Sequence, residues 1–503
     1  MYLKFLTPLR ILFLAIAMFS FSTLKAQKMN EYASQWKKIE DLVNKGLTKS
    51  ALSEVDKIYT SAKKSNNDPQ VIKSLLYKIT LNQNIQEDAS VKSIDTLQQE
   101  IASAKEPAKS ILQSIAAQMY WNYFQQNRYQ LYQRTNTVNF NKTDINTWTA
   151  DDLHKKIAEL YLASIGNEKL LQQTKLEPFD AIIMKGNVRH LRPTLYDLLA
   201  HRALDYFKSD ERDITRPAYA FEIKDKEAFA PAKEFVKHLF ATKDSGSLHH
   251  KAILVFQTLL AFHINDTKPD ALIDADIERI NFMNQYGVME NKEALYIDAL
   301  KNISQKYSGN PLSAQASFMI AQEIYNKASQ AAQQQDSTYA YTVKQAKEIL
   351  DDIIRKFPAS EGGINAKNLL NQILHPQINL TTEKVNVPGL PFRTLVTYKN
   401  FKTIYFRLVE LTPQLKKEVT KNYDNEKVFQ TLTTSKSLKN WRQNLPVADD
   451  YLSHSVEVKI DALPVGEYVL LGSATEDFST DKNPLAAQYF YVSDISFINS
   501  GLQ

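Results

Sequence analysis

The chain has 503 residues, enough for about three domains, with 44% hydrophobic and 23% charged side chains, a balance that excludes wholesale disorder. It contains no cysteine, which excludes disulfides, zinc–cysteine and iron–sulfur sites, a cysteine nucleophile, an internal thioester and a lipid-modified N-terminal cysteine. The formal charge is +5, but Lys4, Arg10 and Lys25 fall in the first 26 residues; the remaining 58 basic and 56 acidic side chains nearly cancel, and no concentrated basic stripe of the kind nucleic acid requires is left.

Residues 1–26 read as an export signal. Lys4 and Arg10 give a positive start, Ile11 to Phe21 an apolar run of eleven residues, and Leu24-Lys25-Ala26 before Gln27 a cleavage point. The run is shorter than the roughly 20 residues of a membrane span, and no later stretch approaches one. The expectation is an exported chain, in the periplasm or at the cell surface, with no membrane span after cleavage.

From Met29 to Leu374 apolar residues recur at helical spacing. Trp36, Ile39, Leu42 and Val43 form one stripe; after Gly46 it restarts with Ala51, Leu52, Val55, Ile58 and Tyr59. Leu153, Ile157, Leu160 and Tyr161 repeat it behind Thr149, with Asp152 three residues on, a capping-box spacing. Leu312 to Leu374 reads as a long helix, a Gln-rich break, a second helix stopped by Pro358, and a third from Ile364. These pairs predict an α-solenoid of degenerate helical hairpins, similar to tetratricopeptide repeats, over residues 27–376. Such stacked hairpins would leave a concave surface for partners.

Near Pro376 the period changes to two. Leu395 and Thr397, then Ile404, Phe406 and Leu408, alternate with their neighbours around a Lys399-Asn400 turn. Val456, Val458 and Ile460 do so again, followed by a Leu463–Gly466 turn and strands at Tyr468–Ser473 and Tyr489–Val492. Val428, Phe429, Leu432, Leu438 and Trp441 predict a helical excursion within 414–445. The fold class expected is therefore mainly α with a C-terminal antiparallel β-sandwich over 377–503.

Chemistry is sparse. The nine histidines form no HExxH pair, and His249-His250 are adjacent, so on a helix they point about 100° apart and do not share a metal. Asp270, Asp274, Asp276 and Glu278 interleave with Leu272, Ile273 and Ile277, the pattern of a solvated face on an amphipathic helix; Asp151-Asp152 and Asp351-Asp352 read as helix-start and surface features. Gly362-Gly363 are the only adjacent glycines and read as the turn after Pro358; no G-x-S-x-G, P-loop or G-x-G-x-x-G occurs. The aromatic run Tyr120-Trp121-Asn122-Tyr123-Phe124 reads as packing between hairpins rather than as a sugar platform. The sequence nominates no catalytic, cofactor-binding or metal-ligating residue and implies no cofactor and no enzyme.

Several segments resemble a known family. Leu191-Arg192-Pro193-Thr194-Leu195-Tyr196-Asp197-Leu198-Leu199-Ala200-His201-Arg202-Ala203-Leu204-Asp205 resembles part of the N-terminal helical region of large bacterial alpha-2-macroglobulin family proteins of the Bacteroidetes type. Trp36–Glu40 with Leu47–Leu52 resembles the opening of that region, and Phe392–Asn400 running into Ile404–Arg407 resembles its first macroglobulin-type β-domain. The resemblance implies an endopeptidase inhibitor of the envelope, in which a cut bait segment triggers collapse around the protease. This chain lacks the cysteine of the thioester and ends at Gln503, after one β-domain. What is implied is the N-terminal scaffold and interaction segment of such an inhibitor, with proteins (proteases or envelope partners) as its partners. The alternative reading is a stand-alone exported protein-binding scaffold.

Overall fold

In the computed structural model, which describes residues 32–495 apart from 84, 86–88, 135–143, 213–216, 335, 340 and 482, helices give way to strands between Leu374 and Gln377. The export signal expected at 1–26 lies outside the described residues. The chain divides into two compact units, Met1–Tyr296 and Ile297–Gln503. Among the described residues no helix is long and apolar enough to cross a membrane.

The first unit opens with helix α1 (32–44), the Gly46 turn and α2 (Thr48–Lys64). The spaced apolar stripe is the buried one: Trp36 and Ile39 meet Ala51, Val55 and Ile58, together with Leu81 of α3 (Asp68–Gln83). Then follow α4 (Ala89–Ser103), α5 (Ala108–Tyr132), α6 (Ala150–Ile165) and α7 (Glu168–Gln173), and α2 to α5 each pack on the next. The capping box behind α6 is real: the Thr149 side chain accepts from the Asp152 N–H, and Asp152 accepts from the Thr149 N–H at 3.1 Å. This satisfies donors that a helix start otherwise leaves orphaned.

The run of helical pairs is interrupted twice, which the helical periodicity did not foretell. Between α7 and α8 (Leu195–Phe207) the chain passes through short 3-10 turns at Glu177–Phe179 and Arg189–Leu191. Over 217–247 it holds only Lys226–Phe229 and the four-residue α9 (Ala232–Phe235) before α10 (Leu248–His263) and α11 (Asp270–Tyr286). Pro178, Pro193, Pro217 and Pro231 punctuate these stretches and, lacking N–H groups, discourage longer helices. Phe179, Phe229, Phe235 and Phe240 pin them to the core.

The division between the units falls within α12 (Lys292–Lys306). In the second unit α13 (Ser313–Gln333), α14 (Thr342–Lys356) and α15 (Glu361–Leu374) form a bundle around Ala314, Ala321 and Ala328, seven residues apart on α13. Gly362 and Gly363 are not in a turn but in the first turn of α15. A Cβ on Gly362 would lie 2.3 Å from the backbone carbon of Ala314, so only glycine lets α15 abut α13 there.

Two sheets follow. One orders β1 (Gln377–Thr382), β3 (Phe392–Lys399) and β6 (His454–Ile460); the other orders β2 (Val385–Asn386), β8 (Leu485–Val492), β7 (Gly466–Ser473), β4 (Thr403–Glu410) and β5 (Ser437–Asn444). Every pairing is antiparallel except β2 with β8, so the region is mixed rather than wholly antiparallel. A common core of Leu380, Val396, Tyr398, Val458, Phe406, Leu470 and Phe490 joins the two sheets. Gly472 lies where they approach: a Cβ there would meet Ile378 Cδ1 at 2.9 Å, so that side-chain tip would have to shift.

Three sequence expectations change here. β3 and β4 do not pair; Asn400, at φ 62°, turns the chain from one sheet into the other. The inward residues of β3 are Thr394, Val396 and Tyr398, and Leu395 is exposed. The helical excursion consists of α16 (Pro413–Lys421) and α17 (Asn425–Thr434) and ends there, because Leu438 and Trp441 belong to β5, with Trp441 stacked 4.9 Å from Phe406. These helices cover the outer face of the larger sheet, where Val419 and Leu432 bury Val409, Val469 and Leu471. With both faces covered, β7 reads as a continuous apolar run from Tyr468 to Leu471.

At the Lys399–Asn400 corner the buried Lys399 Nζ donates to Gln372 O at 3.1 Å, and Asn400 Nδ2 to Ile373 O at 2.7 Å. Both acceptors lie in the last turn of α15, where the carbonyls have no helical partner and the dipole favours a cation.

Candidate binding groove

In the first unit α3, α5 and α8 leave a groove of about 590 Å³ between them. Its walls are apolar: Leu76 and Ile79 from α3, Ile111 and Ile115 from α5, Leu198 from α8. The remaining wall is Ile182, Ile183 and Met184. Their loop is fixed by Ile182 and Ile183 N–H bonds to the carbonyl of buried Phe179, and by Asp180, which pairs with Lys185 at 2.8 Å and Arg189 at 2.6 Å. Met184 stands 95% exposed at the rim.

The groove's polar groups are few and oriented. Tyr161 donates its hydroxyl to Gln118 Oε1 at 3.2 Å, and Gln118 Nε2 donates to Asn122 Oδ1 at 3.0 Å. Arg202 donates from Nε to the buried Ser114 Oγ at 2.9 Å, and its two terminal nitrogens have no partner among the described residues. Among the described residues it is the only ionisable one lining the groove. Elsewhere the hollows differ. One of about 120 Å³ around Arg212 and Asp244 is small and polar, and in the second unit one of about 650 Å³ has Lys399 already committed to Gln372.

A network of buried charge holds α8 in place. Asp197 closes a second capping box, accepting from the Thr194 N–H at 2.8 Å, and its other oxygen meets His263 Nε2 on α10 at 2.6 Å. His263 Nδ1 meets Asp266 at 2.7 Å. Burial opposes a charged imidazole, but a carboxylate on each ring nitrogen outweighs it and raises the His263 pKa. Four residues after Asp197, His201 Nδ1 lies 2.9 Å from Glu278 Oε2 on α11, and Lys208 reaches the other oxygen. Burial would push Glu278 up, yet His201 first and Lys208 second bring it down to about 2. Asp276 binds Arg279 Nε at 2.8 Å; Arg279, 1% exposed, also donates to Ala228 O and Ala230 O and lies over the Phe235 ring.

The acidic cluster is therefore split by depth rather than solvated: Asp276 is buried and Glu278 half-buried, both in ion pairs. The signal for this was weak, an Arg three residues after Asp276 and apolar residues on every side of α11. The His pair does not converge: His249 packs its ring 4.2 Å from Tyr286, while His250 Nε2 bonds Phe240 O at 2.8 Å. Asp151-Asp152 occupy the first turn of α6, and Asp351-Asp352 make surface pairs with Lys347 and Lys356.

The aromatic run is packing, apart from Asn122, which faces the groove. Tyr120 stacks on Trp148, and Trp121 and Phe124 surround His154 with Tyr206. His154 Nδ1 bonds Tyr206 Oη at 2.8 Å and its Nε2 has no hydrogen-bond partner among the described residues; burial, with the Arg212 charge second, lowers its pKa to about 4. Among the described residues no group of three or more His, Asp or Glu is placed to hold a metal ion.

The groove itself was not foreseen. Leu76, Ile115 and Leu198 each read as ordinary core stripes, and nothing in periodicity says that three stripes fail to close on one another. Asp197, Leu198, His201 and Arg202 all fall in the Leu191–Asp205 segment. No family model matches the chain, and no curated protein sequence does.

Proposed function

We propose that this chain is a non-catalytic interaction scaffold of the cell envelope, the helix-rich front part of a macroglobulin-like protease inhibitor. Its tetratricopeptide-like helical region presents the contact surface, and its β-region is the first macroglobulin-type domain. The observation that supports this reading is the layout: a long series of packed helices followed directly by a two-sheet β-domain whose own helices cover the outer face of the larger sheet. The ionisable clusters of the first unit fit a scaffold, since their charges are spent on one another, within α11 or between neighbouring helices, rather than turned to an open cleft. An antibody to the helical region, used on native envelope fractions, tests the proposal. A band far heavier than 57.5 kDa, together with co-purifying protein, is the expected result. A stable band at 57.5 kDa overturns the inhibitor reading and leaves a stand-alone scaffold.

A further inference from the structure

We propose that the groove between α3, α5 and α8 binds a single-chain alkyl carboxylate, with the carboxylate on Arg202 and the chain along Ile79, Ile111, Ile115 and Leu198. The inference does not depend on the scaffold reading. Volume comes first: about 590 Å³ lies inside the range of roughly 300–1,000 Å³ typical of small-molecule sites. Charge comes second. Among the described residues one guanidinium and no carboxylate line the groove, and both terminal nitrogens of that guanidinium are unpartnered while its Nε is anchored on Ser114. A planar fork held at one end and free at the other suits a carboxylate. Among the described residues the only other unengaged donor fixed by its neighbours is Asn122 Nδ2, because Asn122 Oδ1 is taken by Gln118.

The shortage of other polar groups selects the chain. Three walls are helix faces, whose backbone groups are bonded internally; in the loop wall the Ile182 and Ile183 N–H groups are taken by Phe179 O, and Thr80 returns its hydroxyl to Leu76 O. A peptide laid here would bury amides without partners, a cost that a hydrocarbon chain does not carry. Met184, exposed at the rim, gives the chain an apolar entry.

The test is calorimetric titration of the intact chain with dodecanoate, decanoate and octanoate below their aggregation concentrations. Saturable one-to-one binding is expected, tightening about fourfold per methylene. Dodecyltrimethylammonium should bind at least about tenfold more weakly, as should dodecanoate to Arg202→Gln, with Arg202→Lys between the two. Ile115→Trp fills the groove and should abolish binding at unchanged Tm. The ammonium comparison needs no variant and stands even if Arg202→Gln fails to fold. Equal binding of the ammonium amphiphile, binding that survives Ile115→Trp, or no saturable binding of dodecanoate each overturns the proposal. So does binding of a leucine-rich peptide with a free C-terminus in dodecanoate's place. A failed titration says nothing against the envelope immunoblot, so the two readings fail separately.

Discussion

In the helical unit Asp197, His263, Asp276 and Arg279 are all nearly inaccessible to solvent and bond one another across or along α8, α10 and α11. In the β-sandwich the ion pairs Arg393–Glu457 and Lys439–Asp461 lie on the outside, with side chains more than half exposed; Asp450, bonded to His454, and Lys399, bonded to Gln372 O, are exceptions. The contrast follows from how the two architectures deliver side chains. A strand sends alternate residues inward at fixed spacing, and here those positions are filled by Val396, Phe406, Leu470 and their kind. A helix surrounded on all sides, as α11 is, has no solvent face left, so its charged residues must find partners within the interface. Buried pairs of this sort add little over apolar packing, but removing one partner is expensive.

Acid is expected to separate the two regions most. Folded His154 resists protonation until about 4, whereas the unfolded side chain protonates near 6.5, so the stability it lends is complete above 6.5 and fades as pH falls to about 4. Glu278 acts lower, from its unfolded value of 4.5 down to about 2. The losses are about 3 kcal/mol for His154 and about 2 kcal/mol for Glu278, whose side chain is a quarter exposed. His263 runs the other way: its raised pKa contributes most below 6.5, and that contribution is lost as pH rises through the folded value. Urea unfolding read by pulse-labelled hydrogen exchange, which follows peptides of each unit separately, should show the helical unit weakening in acid well before the sandwich. Coincident loss in both would break the contrast.

Asp276→Ala comes next, at about 3–5 kcal/mol, because it strands the Arg279 guanidinium in the core. Chemical denaturation measures it, and a loss below about 1 kcal/mol would mean water reaches Arg279. Gly362→Ala should cost about 1–3 kcal/mol in the second unit, since the added carbon meets the backbone of α13 rather than a yielding side chain. Glu457→Ala is the smallest, under about 1 kcal/mol and further reduced by salt; a larger value would make the sandwich's surface pairs matter as much as the buried ones.

Much of this was written in local pattern. The stripe from Trp36 to Ile58, the Thr149 capping box and the halt before Pro358 each depend on residues a turn or two apart, and each stands in the structure. β5 escaped because it is an edge strand with most side chains in solvent: Ser437 to Asn444 has no alternation to read, and Trp441 alone falls into place against Phe406. The Asp197–His263 pair joins positions 66 residues apart, and the groove joins α3 to α8 across more than a hundred. Periodicity says which face of a helix is apolar, not which neighbour covers it or leaves it open.

The grip of Lys399 and Asn400 on the end of α15 makes residue 376, the visible change from helix to strand, a poor place to cut the chain. A piece ending there would keep the three-helix bundle but lose the lysine and the amide that complete its last turn, along with Leu452, which packs into its core. Bundle and sandwich should then melt as one cooperative block. The boundary between the two units lies some eighty residues earlier but inside α12, so surgery on this protein belongs at the Glu290–Asn291 turn just ahead of that helix.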